Sequence, residues 1–422
     1  MDEAAEETRT GPLKGLKVID LSHIMAGPAC SMLLADMGAD VIKVERIPDG
    51  DDARRMVPPT IADESAAFLI MNRNKRGIAL DLRAEASRNV LSRLLKNADV
   101  LIENFRRGTM EQMGFGYDAV HSLNPRLIYC SISGFGRTGP YADRGGFDLV
   151  AQGMSGLMSI TGEGPGHPPV KVGAPVTDIT AGVLACVGIL AALHSRESSG
   201  HGQMVDASLF EAGIIQTYWH SAMCFATGRA PGPMGTAHPL NAPYQAFPTS
   251  DGWITVGAAN QGNWLRLLEA LGAPELGDDL RFSTNADRMH NLAALTATLT
   301  PLFKRRRSAD WLRRLEQAGV PAGPVLEVGQ MHADPQALAR EMIVETVHPT
   351  AGSVKAIGLP IKFSDTPGGV RRAAPIFGQD TRQVLREHGF SDAEIDQLAA
   401  QGAIHMPDSI QKGTYGEPRH PL

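Results

Sequence analysis

The pattern of apolar and polar residues in the first half of the chain predicts strands and helices in alternation. The β-forming run LKVIDLS is followed by the turn HIMAGP, the helix-like run ACSMLLADMG and a second β-forming run, ADVIKVE. The runs RGIALDL, AEASRNVLSRLLKNA, DVLIENF and PRLIYCSISGFG continue the alternation. This pattern is typical of a parallel sheet with helices on both faces. The sequence therefore predicts an α/β fold with a Rossmann-like parallel sheet.

Changes in composition along the second half of the chain predict a second domain. The Gly- and Pro-rich segment TGRAPGPMGTAHPLNAPYQAFPTSDG indicates a domain crossing, and the strand-like run WITVGAA and several amphipathic helices follow it. AGVPAGPVLEVGQMHADPQ has the composition of a return connection, and TRQVLREHGFSDAEIDQLAAQGAI predicts C-terminal helices. We therefore predict a large Rossmann-like domain formed by residues 1–224 and 329–422, and a smaller α+β domain formed by residues 225–328.

A long run of small and apolar residues begins directly after Asp178 and continues without a charge to about Arg196. A helix that is apolar on all sides is expected to be buried on all sides. Asp directly before a helix is a preferred N-cap, and the backbone N–H groups that it accepts would stabilise its anion. An ionised carboxylate beside an apolar element is also a competent nucleophile once a substrate excludes water. Both interpretations of Asp178 stay open at this point.

The composition indicates a globular enzyme. Of the 422 residues, 43% are apolar and 20% are charged. The net charge of −6 argues against broad nucleic-acid binding, and the basic run from Lys304 to Arg307 is predicted to be a solvated helix end. The acidic N-terminus lacks the pattern of a targeting peptide. Because the longest uncharged apolar run has 15 residues, short of the ~20 of a membrane span, we expect no membrane partner and a cytoplasmic location.

The spacing of potential ligands and of glycine residues argues against a metal or a dinucleotide. The four cysteines lie far apart, without a CxxC pair or clustered histidines, so we expect reduced thiols and no zinc site. The first βα turn reads Ala26-Gly27-Pro28 and lacks G-x-G-x-x-G, which counts against NAD or FAD. Arg46 ends the second predicted strand, where a cation could meet a ribose phosphate; a plain turn and a surface arginine are the alternative.

Polar residues in loops supply further candidates, each with a structural alternative. In GDDARR, Arg54 or Arg55 could bind a carboxylate with two hydrogen bonds or face water. The cluster in MNRNKRGIALDL could be a solvated loop. His23 and His238 lie in Gly- and Pro-containing loops and could bond to backbone or lie near a substrate. A serine hydrolase is not expected, because no G-x-S-x-G motif is present.

Seven separated blocks of this sequence resemble the family III CoA-transferases, and the likeness runs in order from about residue 12 to about residue 400. The blocks are LKVIDLSHIMAGPACSMLLADMGADVIKVER, NRNKRGIALDL, DVLIENF, SISGFGRTGPYADRGGFD, SGLMSITG, VTDITAG and SGHGQMVDASL. The resemblance implies transfer of CoA from an acyl thioester to a free carboxylate, with Asp178 matching the family's nucleophilic aspartate. It also implies an aspartyl anhydride and an aspartyl-CoA thioester as intermediates, with CoA thioesters as substrates and no ATP, metal or permanently bound cofactor.

The same resemblance implies positions for CoA and for a covering loop. Residues expected at CoA, along the first βα turn and beside it, are His23, Ile24, Met25, Ala26, Arg46, Lys75, Asn104 and Phe105. Residues expected at the acyl group or in a mobile glycine-rich loop over the aspartate are Phe135, Gly235, Thr236 and His238. Family members form an intertwined dimer of threaded rings, so a homodimer is expected.

Departures from the family pattern bear on the substrates. Met25 stands where formyl-CoA transferases carry glutamine and Phe135 where they carry tyrosine, and the loop reads GTAHP in place of a glycine run. NRNKR, GDDARR and the segment around GTAHP are closer to the succinyl-CoA-dependent dicarboxylate branch. That likeness favours succinyl-CoA as donor and a four- to six-carbon dicarboxylate as acceptor, with Arg54, Arg55 or Arg73 as candidates for its distal carboxylate.

Two alternatives to a CoA-transferase stay open. An α-methylacyl-CoA racemase needs an acid and a base on opposite faces of the α-carbon. Such racemases usually carry a histidine directly before the helix aspartate, whereas Thr177 precedes Asp178 here. The other alternative is a non-catalytic CoA-binding protein, and the presence of Asp178 together with the residues of the first turn counts against it.

Overall fold

The computed structural model describes residues 10–407 of the chain. Its strands, in chain order, are β1 (Lys17–Asp20), β2 (Asp40–Arg46), β3 (Thr60–Ile61), β4 (Glu64–Ser65), β5 (Arg76–Leu80), β6 (Val100–Glu103), β7 (Ile128–Ser133), β8 (Met204–Ser208), β9 (Tyr244–Pro248), β10 (Trp253–Gly257), β11 (Ala322–Pro324), β12 (Ile343–His348), β13 (Gly352–Ile357) and β14 (Ile404–His405).

The α-helices, in chain order, are α1 (Ala26–Asp36), α2 (Ala66–Met71), α3 (Glu85–Lys96), α4 (Thr109–Gln112), α5 (Tyr117–Leu123), α6 (Asp148–Met154), α7 (Leu157–Ile160), α8 (Val176–Ser199), α9 (Leu209–Ile215), α10 (Tyr218–Thr227), α11 (Gln261–Leu271), α12 (Asn285–His290), α13 (Leu292–Phe303), α14 (Ser308–Gln317), α15 (Val328–His332), α16 (Pro335–Ala339), α17 (Thr381–Glu387) and α18 (Asp392–Ala400). Short 3₁₀-helices span Asp52–Arg55 and Pro274–Gly277.

A mostly parallel sheet of seven strands forms the centre of the first half of the chain. Its strand order is β14–β5–β2–β1–β6–β7–β8, and every neighbouring pair is parallel except β14 with β5. Every residue of β5 and β6 is buried, because helices cover a parallel sheet on both faces. The predicted α/β fold with a Rossmann-like sheet is confirmed.

The direction of the strand order reverses between β1 and β6. From β1 the chain continues to β2 and β5 on one side, whereas β6 is followed by β7 and β8 on the other. In open α/β sheets, ligands bind outside the carboxyl ends of the strands at such a switch point. The residues that follow β1 and β6 are therefore the first candidates for a binding site.

The two faces of the sheet bury separate apolar clusters, because neighbouring residues of a strand point to opposite faces. Ile19 and Ile42 belong to the cluster beneath α3, α17 and α18. Val18 and Val41 belong to the cluster beneath α1 and α8, with Leu34 from α1.

The chain divides into two compact units. Within the described residues, the larger unit comprises the chain up to Ser155, Gly173–Gln216 and the chain from Pro335; the smaller comprises Gly156–Val172 and Thr217–Asp334. The smaller unit has a three-stranded antiparallel sheet, β11–β10–β9, and a core with two buried tryptophans from α11 and α14. These divisions differ from the sequence-based boundaries after residues 224 and 328, which stay a prediction.

Helix α8 is not buried on all sides, so that expectation was wrong. Ala181, Ala185 and Ile189 are buried against the sheet and α1. The opposite face carries exposed apolar side chains, namely Ile179, Val183, Leu184 and Val187. Among the described helices, α8 alone is long and apolar enough to span a membrane, although core helices of soluble proteins meet the same criterion.

Candidate active site

The turn between β1 and α1 lies at the switch point of the sheet and is held by groups from other strands. The Asn104 side chain bonds both backbone groups of His23: its Oδ1 accepts from the N–H at 3.0 Å, and its Nδ2 donates to the carbonyl at 2.8 Å. The rings of His23 and Phe105 lie 5.7 Å apart. The structure thus brings together His23, Asn104 and Phe105, which the sequence places some 80 residues apart.

A cavity of about 510 Å³ opens outside the carboxyl ends of β1, β2, β5 and β6. Its lining includes His23, Arg46, Arg83, Arg88, Phe105 and Met113. Cavities of about 300–1,000 Å³ are typical of small-molecule and cofactor sites. This one combines basic side chains with an aromatic and a thioether side chain, which suits a ligand with both phosphates and an apolar part.

The basic side chains of the cavity differ in how fully they are paired. The guanidinium groups of Arg46 and Arg55 both donate to Asp52, whose other oxygen lies 3.2 Å from Nδ1 of His23. One carboxylate therefore faces three nitrogen groups, and the Arg46 side chain is half exposed. Arg88 donates to two backbone carbonyls and has no carboxylate partner within residues 10–407. Arg46 and Arg88 can therefore attract an anionic ligand.

Arg83 and Arg88 are not among the residues expected from the sequence. They follow β5, the third parallel strand on this side of the switch point. The signal for Arg83 is present in the sequence, since a basic residue just beyond the carboxyl end of a parallel strand is well placed for a phosphate, whereas Arg88 lies inside the following helix, α3. It becomes specific only when the order of the strands is known.

Asp178 lies inside helix α8 and is not its N-cap, so the predicted cap was wrong. The helix begins at Val176 with Pro175 at the N-cap position and without a side-chain cap there. Asp148 satisfies the start of the helix instead: its Oδ1 accepts from the N–H of Thr177 at 3.0 Å and from the Thr177 hydroxyl at 2.8 Å. Asp178 is the third residue of the helix, in its first turn, and its side chain does not cap the helix.

The electrostatic environment of Asp178 disfavours its anion, in contrast to the stabilisation predicted for a cap. Burial, and secondarily the neighbouring charge of Asp148, raises the pKa of Asp178 to about 6. Within the described residues, no hydrogen bond or ion pair holds its carboxylate. At neutral pH the group is still mostly ionised. It is therefore a carboxylate with raised basicity and free oxygen lone pairs, which is the form that a nucleophile requires.

The family model described as CoA-transferase family III matches residues 13–381. This chain is a family III CoA-transferase. It is 37% identical over 400 residues to the human succinyl-CoA:glutarate CoA-transferase, and this match covers 94% of this chain and 91% of the human protein. It is 40% identical over 398 residues to the acetyl-CoA:oxalate CoA-transferase of Acetobacter aceti, covering 93% of this chain and 100% of the relative.

A solved structure agrees with the sequence comparison. The crystal structure of a CAIB/BAIF family protein from Brucella suis is 41% identical and superposes with a TM-score of 0.80. The match covers 90% of this transferase and 100% of that chain. The fold of the CoA-transferase, including the mostly parallel sheet, is thus that of its family.

Lys75 of the transferase lies beneath the turn and does not face the cavity. Its ammonium group is fully buried, pairs with Asp20 at 3.1 Å, and donates to the carbonyl of Pro28 at 3.1 Å and to Asn72 at 2.9 Å. Burial lowers the pKa of Lys75 to about 8 against the attraction of Asp20. The expected contact between Lys75 and CoA does not fit this arrangement, because the ammonium group already donates three hydrogen bonds to oxygen atoms of the protein.

Two arginines proposed for the distal carboxylate of a substrate are also occupied. Arg54 donates to both oxygens of Glu45, at 2.7 and 2.8 Å, and its guanidinium lies 3.6 Å from the centre of the Phe68 ring. Arg73 is buried and donates to Asp36 at 2.6 Å. Buried carboxylates of the transferase itself thus hold these two side chains, so a role in substrate binding does not fit either of them.

The remaining candidates of the CoA-transferase lie in two different units. In the larger unit, Phe135 is buried and packs on Phe210, with ring centres 5.8 Å apart. In the smaller unit, Gly235 donates to the carbonyl of Gly162 at 2.9 Å, the Thr236 hydroxyl accepts from Ala246 at 3.0 Å, and the ring of His238 stacks on Tyr244 at 5.0 Å. Their roles at Asp178 stay predictions.

Proposed function

We propose that this enzyme transfers CoA from succinyl-CoA to a short dicarboxylate through covalent intermediates on Asp178. The observation that supports the proposal most strongly is the state of that carboxylate: half-buried, without a hydrogen bond within residues 10–407, and with a pKa raised to about 6. A carboxylate in this state gains most from forming a neutral acyl derivative, because the covalent bond removes the charge that burial disfavours.

The first half of the reaction loads CoA onto the enzyme. An Asp178 oxygen attacks the thioester carbonyl of succinyl-CoA, the C–S bond breaks, and CoA leaves as a thiolate with formation of an aspartyl-succinyl anhydride. The thiolate then attacks the aspartyl carbonyl carbon, which releases succinate and leaves an aspartyl-CoA thioester. Each step exchanges one acyl bond for another, so the reaction needs no other source of energy.

The second half repeats these steps in reverse with the acceptor. A carboxylate of the acceptor attacks the aspartyl-CoA carbonyl, CoA leaves again as thiolate, and a second anhydride forms. Attack of the thiolate on the acceptor's acyl carbon yields the new CoA ester and regenerates the Asp178 carboxylate. During both halves the CoA moiety stays bound, for which the cavity with Arg46 and Arg88 is suited by size and charge.

The proposal of a dicarboxylate acceptor draws on the relatives. The human relative is named for succinyl-CoA and glutarate, and the Acetobacter relative for acetyl-CoA and oxalate. Both acceptors are dicarboxylates, whereas the donors differ. Our choice of succinyl-CoA and of an acceptor with four to six carbons follows the likeness of NRNKR, GDDARR and the segment around GTAHP to the succinyl-CoA-dependent dicarboxylate branch.

A substrate screen tests this proposal. Purified enzyme is incubated with succinyl-CoA or acetyl-CoA and a panel of short mono- and dicarboxylates, and new CoA esters are identified by mass spectrometry. We expect the fastest transfer from succinyl-CoA to a four- to six-carbon dicarboxylate. Preference for monocarboxylates, or faster transfer from acetyl-CoA to oxalate, would contradict the substrate assignment but leave the CoA-transferase reaction itself intact.

A racemase reaction fits the site less well than acyl transfer. It needs a second acid-base group opposite Asp178. The residue before Asp178 is Thr177, which is buried and whose hydroxyl donates to Asp148 at 2.8 Å. A threonine in that arrangement cannot act as a base at neutral pH.

We also propose that the enzyme functions as a homodimer. Helix α8, with its exposed apolar side chains, packs against α6, and Phe147 directly before α6 and Leu149 and Val150 within it are 72%, 55% and 42% exposed. Monomeric soluble proteins rarely expose a contiguous apolar surface of this kind, and a second copy of the chain would bury it.

Sedimentation analysis tests the dimer. We expect the wild-type mass to be twice that of the chain, and Val183→Glu/Val187→Glu to shift the mass toward the monomer, because charges cannot be buried without partners. Val347→Glu is the matched control, since Val347 is 69% exposed on the β12–β13 hairpin. A monomeric wild type, or equal dissociation by the control, would contradict the assignment of this face.

A further inference from the structure

The turn between β1 and α1 contains a residue in an unfavourable backbone conformation. Ile24 has a φ of 67°, in the left-handed region that β-branched residues rarely adopt. Such a conformation persists only where the surroundings fix it. Its neighbours His23 and Met25 are among the residues predicted to contact CoA, so the conformation of Ile24 determines the shape of the backbone at these predicted contacts.

Two side chains from other parts of the chain fix this turn. Oδ1 of Asp51 accepts hydrogen bonds from the backbone N–H groups of Ile24 and Ala53, both at 2.9 Å. Asn104 bonds both backbone groups of His23, as described above. Asn104 was expected at the site from the family resemblance, whereas Asp51 was not a predicted site residue.

Buried charges hold Asp51 itself. Its Oδ2 lies 2.7 Å from Nζ of Lys43, and both side chains are buried. The same Nζ donates to the carbonyl of Ser22 at 2.8 Å, so the pair is tied to the end of β1. The backbone N–H of Asp51 donates to Glu45 at 3.0 Å. Burial raises the pKa of Asp51, but the attraction of Lys43 and the hydrogen bonds from Lys43, Ala53 and Ile24 together outweigh burial and lower the pKa to about 2, so the acceptor stays ionised at neutral pH.

The burial of Asp51 argues against direct contact with a reacting group. Its two oxygens are engaged by the backbone of the turn and by Lys43. We propose that Asp51 is a positioning residue that holds Ile24 in its left-handed conformation and thereby keeps the βα turn in the shape that binds the CoA part of the donor. This inference deepens the proposed function and rests on it.

Two substitutions of Asp51 test the role of its oxygen. Asp51→Ala removes the acceptor of the Ile24 N–H, whereas Asp51→Asn keeps an oxygen acceptor on a side chain of the same shape. We expect Asp51→Ala to raise the Kd of free CoA in calorimetry and the KM for succinyl-CoA about tenfold, with kcat changed less than about twofold. For Asp51→Asn we expect a smaller rise in the Kd of free CoA and in the KM for succinyl-CoA. Lys43→Met/Asp51→Ala removes the unpaired charge and replaces Asp51→Ala if that variant does not fold.

Ile24→Gly separates positioning from a general loss of stability. Glycine adopts the left-handed conformation without strain, so a turn with glycine no longer depends on Asp51. We expect Ile24→Gly/Asp51→Ala to bind CoA more tightly than Asp51→Ala alone. Independent damage to the fold would instead make the two losses additive.

The outcomes separate this inference from the proposed function. An unchanged Kd and KM in Asp51→Ala, or additive losses in Ile24→Gly/Asp51→Ala, would overturn the positioning role. Failure of the proposed substrates shows in the wild-type enzyme, as an absence of transfer from succinyl-CoA. Calorimetry with free CoA still decides the role of Asp51 in that case, because it requires neither donor nor acceptor.

Discussion

Replacement of Asp178 by alanine is expected to reduce CoA transfer by at least about a thousandfold, because no other group can form the acyl intermediate. The fold should be retained, since the Asp178 side chain makes no capping hydrogen bond that alanine would remove. Transfer is measured as formation of the new CoA ester, and the fold by circular dichroism and thermal unfolding. Turnover near the wild-type rate in Asp178→Ala would refute the nucleophile.

The pH dependence of the same residue supplies a control. Because the attacking form is the carboxylate, we expect kcat/KM to fall as the pH decreases through about 6, where the pKa of Asp178 lies. Asp148→Asn keeps an oxygen for the Thr177 N–H but removes the charge that contributes to the raised pKa. Its activity profile should therefore shift to lower pH.

As the pH rises, the contribution of Asp178 to folding stability should decrease while the activity increases. The pKa of Asp178 is raised in the folded state, so folding favours its protonated form. That contribution is fully present below the unfolded pKa of about 3.9 and is lost as the pH rises through about 6. At pH 7.5 Asp178→Asn should therefore raise the free energy of unfolding by roughly 1 to 2 kcal/mol, after allowance for solvent screening. At pH 4 the two proteins should be nearly equal.

Replacement of Lys75 by methionine is expected to lower the free energy of unfolding by about 3–5 kcal/mol, because buried Asp20 loses its ion-pair partner and keeps only the smaller attraction of Lys43. Asp20 would keep its hydrogen bonds from serines but lose the ammonium group at 3.1 Å. Urea unfolding followed by circular dichroism measures the change. The matched control is Lys96→Met, on the exposed surface of α3, which should change stability by less than about 0.5 kcal/mol.

The Lys75 variant also distinguishes a structural role from CoA binding. A lysine that contacts a phosphate of CoA would be dispensable for folding, so Lys75→Met would be as stable as Lys96→Met and would only raise the KM for the donor. That outcome would contradict the arrangement in which Lys75 supports the turn from below.

The sheet could be predicted from the sequence because its signal is local. Runs such as ADVIKVE and DVLIENF are short, apolar and bounded by turns, and they became β2 and β6. The hairpin of β12 and β13 was not predicted. Its strands surround the turn HPTAG, and an isolated antiparallel pair falls outside the alternation of strands and helices that the prediction followed.

Some residues around the first βα turn could be indicated from the sequence, but the partners of the charged residues could not. The resemblance placed His23, Asn104 and Phe105 together, and their contacts agree. The partners of Lys75 and Arg54 lie 55 and 9 positions away, and nothing local indicates that these cations are buried. The start of α8 could not be predicted either, because the carboxylate that accepts the Thr177 N–H belongs to Asp148, 29 positions earlier in the chain.

Direct detection of the acyl intermediate tests the central claim most directly. The wild-type enzyme is incubated with succinyl-CoA without acceptor and quenched with hydroxylamine, and the tryptic peptide that follows Lys171 and ends at Arg196 is analysed by mass spectrometry. Our account predicts a hydroxamate on Asp178, absent without donor. An unmodified peptide from an enzyme that transfers CoA under the same conditions would contradict covalent catalysis by Asp178.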